Sequence, residues 1–377
     1  MSPDATPTRG RSLRSTISSS GELRLGLEER DTPELSGNEV LVAVEASPIN
    51  PSDLGVLLGA VDPGALSSDG SDLVAAVPEG SLSFYRDRLD KPLPVGNEGA
   101  GTVVAAGPDA EAMVGRRVAT FGGSMWADYR VADAGAVVEL PDEVSTVEGA
   151  ALFINPLTAL SMVETMRAEG HTALVHTAAA SNLGRMLVRI CAADGVPLVN
   201  VVRRPEHAEE LRELGAVHVV DSSQPDFAEQ LTEAVRETGA TLGFDAIGGG
   251  SIASDILNAM ERAQPPLASY TPYGTTVLKQ VYIYGSLDFS PTVIERRFGL
   301  TWAVAGYLLT NALGRLGGEA FGRMRARVLA EANTTFASRY AQTIGLSEVL
   351  DPQNLAAFSR RSTGTKYLID PSRDRPG

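Results

Sequence analysis

Residues 171–204, HTALVHTAAASNLGRMLVRICAADGVPLVNVVRR, limit the fold more than any other stretch of this chain. Ala173 to His176 is a short apolar run, Leu183 to Ala193 is helical in pattern, and Val196 to Val202 is a second buried strand. Such a strand, loop, helix, strand unit belongs to a parallel sheet. Its loop, Thr177 to Asn182, carries almost nothing larger than a methyl or hydroxyl group. A helix N-terminus offers free N–H groups and partial positive charge to a pyrophosphate, provided no bulk blocks the approach. Ala180, Ser181, Asn182, Leu183 and Gly184 are the expected contacts, although the usual G-x-G-x-x-G is reduced here to AAASNLG. The second strand ends on Arg203 and Arg204, where a cofactor lacking a 2′-phosphate would call for Asp or Glu. Two guanidinium groups suit the phosphate, so the expected cofactor is NADPH.

A chain of 377 residues, 43% hydrophobic, can bury two ordinary cores. Its net charge of −15 argues against nucleic acid as a partner, since a phosphate backbone needs a concentrated basic face. No apolar run reaches the length of a membrane span, and the N-terminus lacks an export segment. The expectation is a cytoplasmic protein that meets a small-molecule substrate and neither nucleic acid nor membrane. The single cysteine, Cys191, lies inside the helix of the crossover unit and reads as a small core residue.

Pattern shifts divide the chain. Residues 1–12 read as a disordered leader, and Ser15 to Ala46 as antiparallel strands broken at Gly21 and Gly37. Residues 60–92 read as a loop with little periodicity, in which LSFYRDRL at 82–89 is expected to form a short docking helix. Val95 to Leu140 is a second β region. Helical and strand patterns then alternate to about residue 290, including a helix over Phe227 to Thr238. Phe298 to Leu316 reads as a buried helix or pocket wall, residues 290–325 match no recognisable pattern, and KYLID near the end is a strand that rejoins the first domain.

This order, with INPSD at 49–53, PVGNEGAGTVVAAG and VGRRV at 94–118, ELPDEVSTVEGAALFINPLTAL at 139–160 and TGTKYLID at 363–370, resembles the medium-chain dehydrogenase/reductase superfamily. Within it the chain is similar to the quinone oxidoreductase branch, while NPLTA and NVVRRP lean toward enoyl thioester reductases. The resemblance implies an α/β protein: a GroES-like β-rich catalytic domain (13–156 and 318–377) and a Rossmann doubly wound cofactor domain (157–317). It also implies a homodimer paired through an exposed edge strand, Val281 to Tyr284 or a neighbour. Members that hold catalytic zinc use cysteine and histidine where this chain has Ser47 to Asn50 and Asn97, so no metal site is expected.

Without a Lewis acid, hydride addition to a quinone or an activated C=C is easier than alcohol oxidation. The expected activity is a zinc-independent, NADPH-dependent reductase of quinones or α,β-unsaturated carbonyl compounds. Alternatives are an enoyl thioester reductase and, in a different class, a non-catalytic nucleotide-binding protein like the lens crystallin relatives. The resemblance puts Asn50 at the cleft floor and Thr158 behind the nicotinamide ring. Asn50 either donates to a carbonyl or caps the turn that follows it. Enoyl thioester reductases place a tyrosine donor a few residues after N-P-S-D, where this chain has Leu57 to Ala60; Tyr85, Tyr129 and Tyr284 are the possible substitutes. Strand ends supply further cofactor contacts at Ile247, Gly248, Gly249, Tyr284 and Gly285. Lys366 matches a family position near the cofactor cleft and reads equally as a solvated strand end, and His176 reads as a hydrogen-bonded core histidine.

Overall fold

The computed structural model describes residues 7–267, 269, 271–360 and 366–375, so residues 1–6 of the expected leader and Thr363 to Thr365 of the tail motif lie outside it. The chain forms two units, 1–154 with 337–377, and 155–336. In chain order the first unit contains β1 (Arg9–Ile17), β2 (Glu22–Asp31), β3 (Glu39–Pro48), α1 (Pro51–Leu58), β4 (Ser67–Asp69), β5 (Asp72–Ala76) and β6 (Leu93–Pro94). It continues through β7 (Glu98–Ala106), β8 (Arg117–Phe121), β9 (Tyr129–Asp133), β10 (Val137–Glu139) and α2 (Thr146–Gly149). The second unit takes α3 (Ile154–Ala168), β11 (Leu174–His176), α4 (Asn182–Asp194), β12 (Leu198–Val202), α5 (Pro205–Glu213) and β13 (His218–Asp221). It is completed by α6 (Phe227–Thr238), β14 (Leu242–Asp245), α7 (Ile252–Arg262), β15 (Lys279–Ile283), β16 (Trp302–Gly306) and α8 (Leu309–Ala330). The chain then returns to the first unit as β17 (Gln342–Ile344), α9 (Pro352–Ser359) and β18 (Tyr367–Ile369).

Two sheets build the first unit, in the orders β4-β5-β2-β1-β6 and β10-β8-β7-β3-β18-β17, with β9 also on β3. Period-two burial explains the first: Leu13, Ser15 and Ile17 turn inward from β1, with Ser15 opposite Leu25 and Ile17 opposite Leu23 of β2. β1 begins at Arg9, so the expected leader is too long at its C-terminal end; Arg9 sits opposite Asp31 in the hairpin and pairs with Glu29. The expected return strand is present, with Leu368 and Ile369 opposite Pro48 and Ser47 of β3.

Residues 60–92 are not a structureless loop. β4 and β5 form a hairpin that extends the first sheet, with Leu73 opposite Leu25, and Leu73 and Ala75 are buried in its core. Short strands flanked by Gly, Ser and Asp gave no readable period. The helix expected at 82–89 shrinks to one 3₁₀ turn, Leu82–Tyr85. Beyond it the backbone is drawn toward β1: Asp90 N–H donates to Ile17 O at 2.8 Å and Arg88 Nη2 donates to Ser15 Oγ at 3.0 Å.

The second unit is one parallel sheet, β13-β12-β11-β14-β15-β16, the 3-2-1-4-5-6 order of a doubly wound dinucleotide fold. Val175, Val199, Val201 and Val281 are fully buried or nearly so between its helix layers. Val281 to Tyr284 is not an edge, because β15 is paired on both sides; its neighbour β16 is the outer strand, so of the two expected places the neighbouring one is the edge. The second unit runs to 336 rather than 317, since the chain, after a break in α8 at Gly317 (φ +85°), is helical again to Ala330, and Arg327 bridges back to Asp194 of α4 at 2.8 Å. Phe298 to Leu316 is strand followed by helix; the glycines at 299, 306 and 314 hid that change of period.

Candidate active site

In the second unit the cradle begins where β11 ends. Ala178 adopts φ +48°, a left-handed conformation that a residue with a Cβ rarely accepts. Ser181 caps α4, its Oγ accepting from Gly184 N at 3.1 Å. Gly184 permits the close approach of helix to loop, since a Cβ there would lie 2.1 Å from Ala179 O. Ala180 and Leu183 are buried beneath, and Asn182 opens the helix. Arg203 and Arg204 follow β12, are exposed, and have no ion-pair partner among the described residues. This combination fits a nicotinamide dinucleotide. The fit rests on the small loop, the thirteen-residue helix behind it and two uncommitted guanidinium groups.

The other strand ends interlock. Asp245 is fully buried and accepts from Thr177 Oγ1 (2.7 Å), Ile247 N (2.9 Å) and Gly248 N (3.0 Å), which fixes the turn after β14. Gly285 lies so close that its Cβ would sit 2.5 Å from Ala246 O, and a Cβ on Gly249 would lie 2.7 Å from Ser290 O. Tyr284 Oη bonds His176 Nε2 at 2.8 Å with the rings stacked. Burial pushes His176 down to about 3, so it is neutral and held in the core. Thr158 is buried on α3, where Ser161 Oγ donates to its carbonyl at 2.9 Å.

In the first unit a buried polar group surrounds Asn50. Glu98 is fully buried and accepts from Asn50 Nδ2 (2.8 Å), Phe153 N (3.0 Å) and Ile154 N (2.8 Å). Asp53 accepts from Asn50 N at 2.7 Å and Asn97 N at 2.8 Å, as an acceptor that ties α1 to the strand region. Burial pushes its carboxyl up to about 7, against the pull of those two N–H groups. Asn50 Oδ1 and Lys366 Nζ are buried without a hydrogen-bond partner among the described residues. Burial holds Lys366 below its usual value, and its ammonium lies 5.9 Å from the Tyr340 ring centroid.

The tyrosine candidates separate. A Cβ on Gly59, just beyond α1, would lie 2.9 Å from Tyr85 Oη, so Tyr85 stands beside the segment where the family's tyrosine is missing. Tyr129 is occupied elsewhere, its ring under the Arg375 guanidinium at 4.8 Å and against Gly10. Zinc does not fit this unit: Ser47 Oγ donates to Glu98 O and Asn97 Nδ2 to Ser52 Oγ, with no thiolate or imidazole beside them. Cys191 is buried in α4 with its thiol pushed up to about 12. Sequence reasoning missed Glu98 as the anchor of Asn50 and Asp245 as the anchor of the Gly248 turn. Each acts through space, and GNEG and FDAI show only turn chemistry.

Residues 36–142 match the alcohol dehydrogenase GroES-like domain family, and residues 183–264 match the zinc-binding dehydrogenase family. The chain belongs to the medium-chain dehydrogenase/reductase superfamily. It is 28% identical over 247 residues to a mitochondrial enoyl-[acyl-carrier-protein] reductase of Caenorhabditis elegans, covering 63% of this chain and 64% of that protein. It is 29% identical over 174 residues to a quinone oxidoreductase of Pseudomonas aeruginosa, covering 44% of this chain and 54% of that one. The chain thus spans less than two thirds of the length of these curated relatives. Among solved structures, a putative NADPH:quinone reductase from Mesorhizobium loti superposes with a TM-score of 0.72 at 26% identity, over 97% of this chain and all of that one. Among the described residues no helix is long and apolar enough to cross a membrane.

Proposed function

We propose that this superfamily member is a zinc-independent reductase that uses NADPH to reduce quinones or α,β-unsaturated carbonyl compounds. The exposed, unpaired Arg203 and Arg204 at the end of β12 carry the cofactor choice. Bound NADPH supplies the hydride, and a proton completes the reduced acceptor. The cradle at 178–184 binds and orients the pyrophosphate, and the rigid turns at 245–249 and 284–285 fix the far end of the site. In the first unit, Glu98 holds the Asn50 amide in one orientation, because its carboxylate can only accept and must face Nδ2. That leaves Oδ1 as an acceptor awaiting an O–H or N–H donor from a ligand. Asn50 is thus an anchored amide as well as the residue that caps α1. Lys366 Nζ is a buried donor in the same state and a candidate ligand contact, and Tyr85 is the tyrosine best placed to replace the one missing after INPSD.

Similarity to enoyl-[acyl-carrier-protein] reductases supports enoyl thioesters as the second class of acceptor. The test is NADPH consumption with a panel of quinones, enones and enoyl thioesters, alongside cofactor affinities of the Arg203→Ala, Arg204→Ala double variant. NADPH affinity is expected to fall by about 1.5–3 kcal/mol per lost charge-assisted bond, with NADH nearly unchanged. Equal losses for both cofactors refute the 2′-phosphate assignment, and binding without turnover across the panel would make the protein a nucleotide binder.

A further inference from the structure

The second unit contains a cavity of about 490 Å³ at the carboxyl ends of β15 and β16. Its lining includes Tyr284 and Ser286 after β15, and Tyr307, Leu308, Asn311 and Arg315 from the end of β16 into α8. Asn311 and Arg315 lie four residues apart near the start of α8, so they share one helix face. Tyr307 is a fixed wall. Its hydroxyl donates to Ser161 Oγ at 2.9 Å and bonds Thr165 Oγ1 at 3.0 Å, while its ring meets Phe244 edge-on at 5.0 Å.

Arg315 stands out by its surroundings. It is exposed and has neither an ion pair nor a hydrogen-bond partner among the described residues, in a chain of net charge −15. Of the arginines beyond the break in α8 at Gly317, Arg323 is spent on Glu319 at 2.9 Å and Arg327 on Asp194 at 2.8 Å, while Arg325 is exposed like Arg315 and does not line the cavity. Glu169 is the carboxylate that acts with Arg315 on Tyr282 and Tyr307, yet it already accepts from Tyr282 Oη at 2.7 Å and Gln280 Nε2 at 3.2 Å. A guanidinium offers a planar fork of donors matched to carboxylate or phosphate oxygens, and the Asn311 amide beside it can add one more.

We propose that Arg315, with Asn311, determines specificity by reading an anionic group on the acceptor, so that the preferred substrates are unsaturated carbonyl compounds bearing a carboxylate or phosphate rather than neutral quinones. This rests on the reductase reading above and deepens it. The unsaturated end of such a ligand lies toward Tyr284 and Gly285, the side of the cavity assigned to the cofactor, and its anion lies toward α8.

The experiment compares matched acceptors in the full-length protein with NADPH: 4-oxopent-2-enoate against pent-3-en-2-one for a carboxylate, and crotonyl-CoA against the crotonyl thioester of N-acetylcysteamine for a phosphate. The wild type is expected to favour the anionic member of at least one pair, and which pair responds identifies the source of the anion. Arg315→Gln is expected to lower kcat/KM for that member by about 10- to 100-fold, the loss of one or two charge-assisted hydrogen bonds. The change falls in KM, with the neutral member and the KM for NADPH unaltered. Equal losses on neutral and anionic acceptors, no loss at all, or weakened NADPH binding overturns the proposal, the last by giving the cavity to the cofactor. If the wild type turns over none of the panel, the reductase reading fails separately. Calorimetric titration of the NADPH-loaded protein with 4-oxopent-2-enoate and with crotonyl-CoA then decides, because binding that does not depend on Arg315 overturns the anion site.

Discussion

Asp53 shows how much one buried carboxyl controls in the first unit. Both its oxygens are used, one by Asn50 N and one by Asn97 N, and Glu98 and Lys366 add opposing charges nearby. Its folded value of about 7 lies above the ordinary 3.8, so the folded chain keeps a proton that the unfolded chain releases between those values. The stability that this group contributes is therefore full in acid and is lost as pH rises through about 7. Asp53→Asn is expected to remove that share of the pH dependence. It should also cost about 1–3 kcal/mol, because an amide accepts through one oxygen only and leaves one of the two N–H groups unpaired. Denaturant melts of both proteins from pH 5 to 8 check this; parallel curves would show that Asp53 does not titrate in that range. Individual residues were legible where local geometry fixes them, as at Ser181 and Gly184. They were illegible where a role depends on a distant partner: Asn50 reads as a turn residue until Glu98, forty-eight positions away, is seen to hold its amide.

Elements were readable in proportion to their length and period. The helix Phe227–Thr238 and the crossover unit around α4 could be bounded from sequence, since apolar residues recur there at helical spacing between glycine and proline stops. The hairpin β4–β5 could not, because three- and five-residue strands give too few alternations to stand out from a polar loop. Its packing alters what residues 61–91 are expected to do. Leu73 is 2% exposed in the same core as Leu13, Leu25 and Leu57, and Tyr85 and Leu89 pack against that core from outside. The segment is thus part of the fold of the first unit as well as a neighbour of α1. Leu73→Ala is expected to destabilise by about 2–5 kcal/mol with an unchanged urea m-value, as the loss of a buried side chain from an otherwise intact core. A loss under 0.5 kcal/mol would return the segment to the status of a surface loop, and replacing residues 62–90 by a short turn would then be tolerated.

At the scale of the whole molecule, the doubly wound sheet ends on a strand that nothing described covers. Lys279 N–H donates to Thr301 O and Tyr307 N–H donates to Ile283 O, so the odd-numbered residues of 301–307 face β15. The backbone groups of Trp302, Val304 and Gly306 then point away from the sheet, as alternation along a strand requires. Exposed apolar side chains stand on the segments flanking this strand, among them Phe289 at 76%, Leu300 at 62% and Leu308 at 60%. An open edge with apolar flanks favours pairing with a second copy, and a two-fold axis would make the contact self-complementary. We therefore expect a homodimer joined through β16, the neighbour of Val281 to Tyr284. Val304→Pro tests the geometry as well as the assembly, because it removes an outward N–H while leaving the bonds to β15 in place. Sedimentation should show a dimer for the wild type at micromolar concentration and a monomer for the variant, with the secondary-structure signal of the second unit retained. A variant that remains dimeric would place the contact elsewhere, and a wild type that sediments as a monomer would leave this edge free in solution.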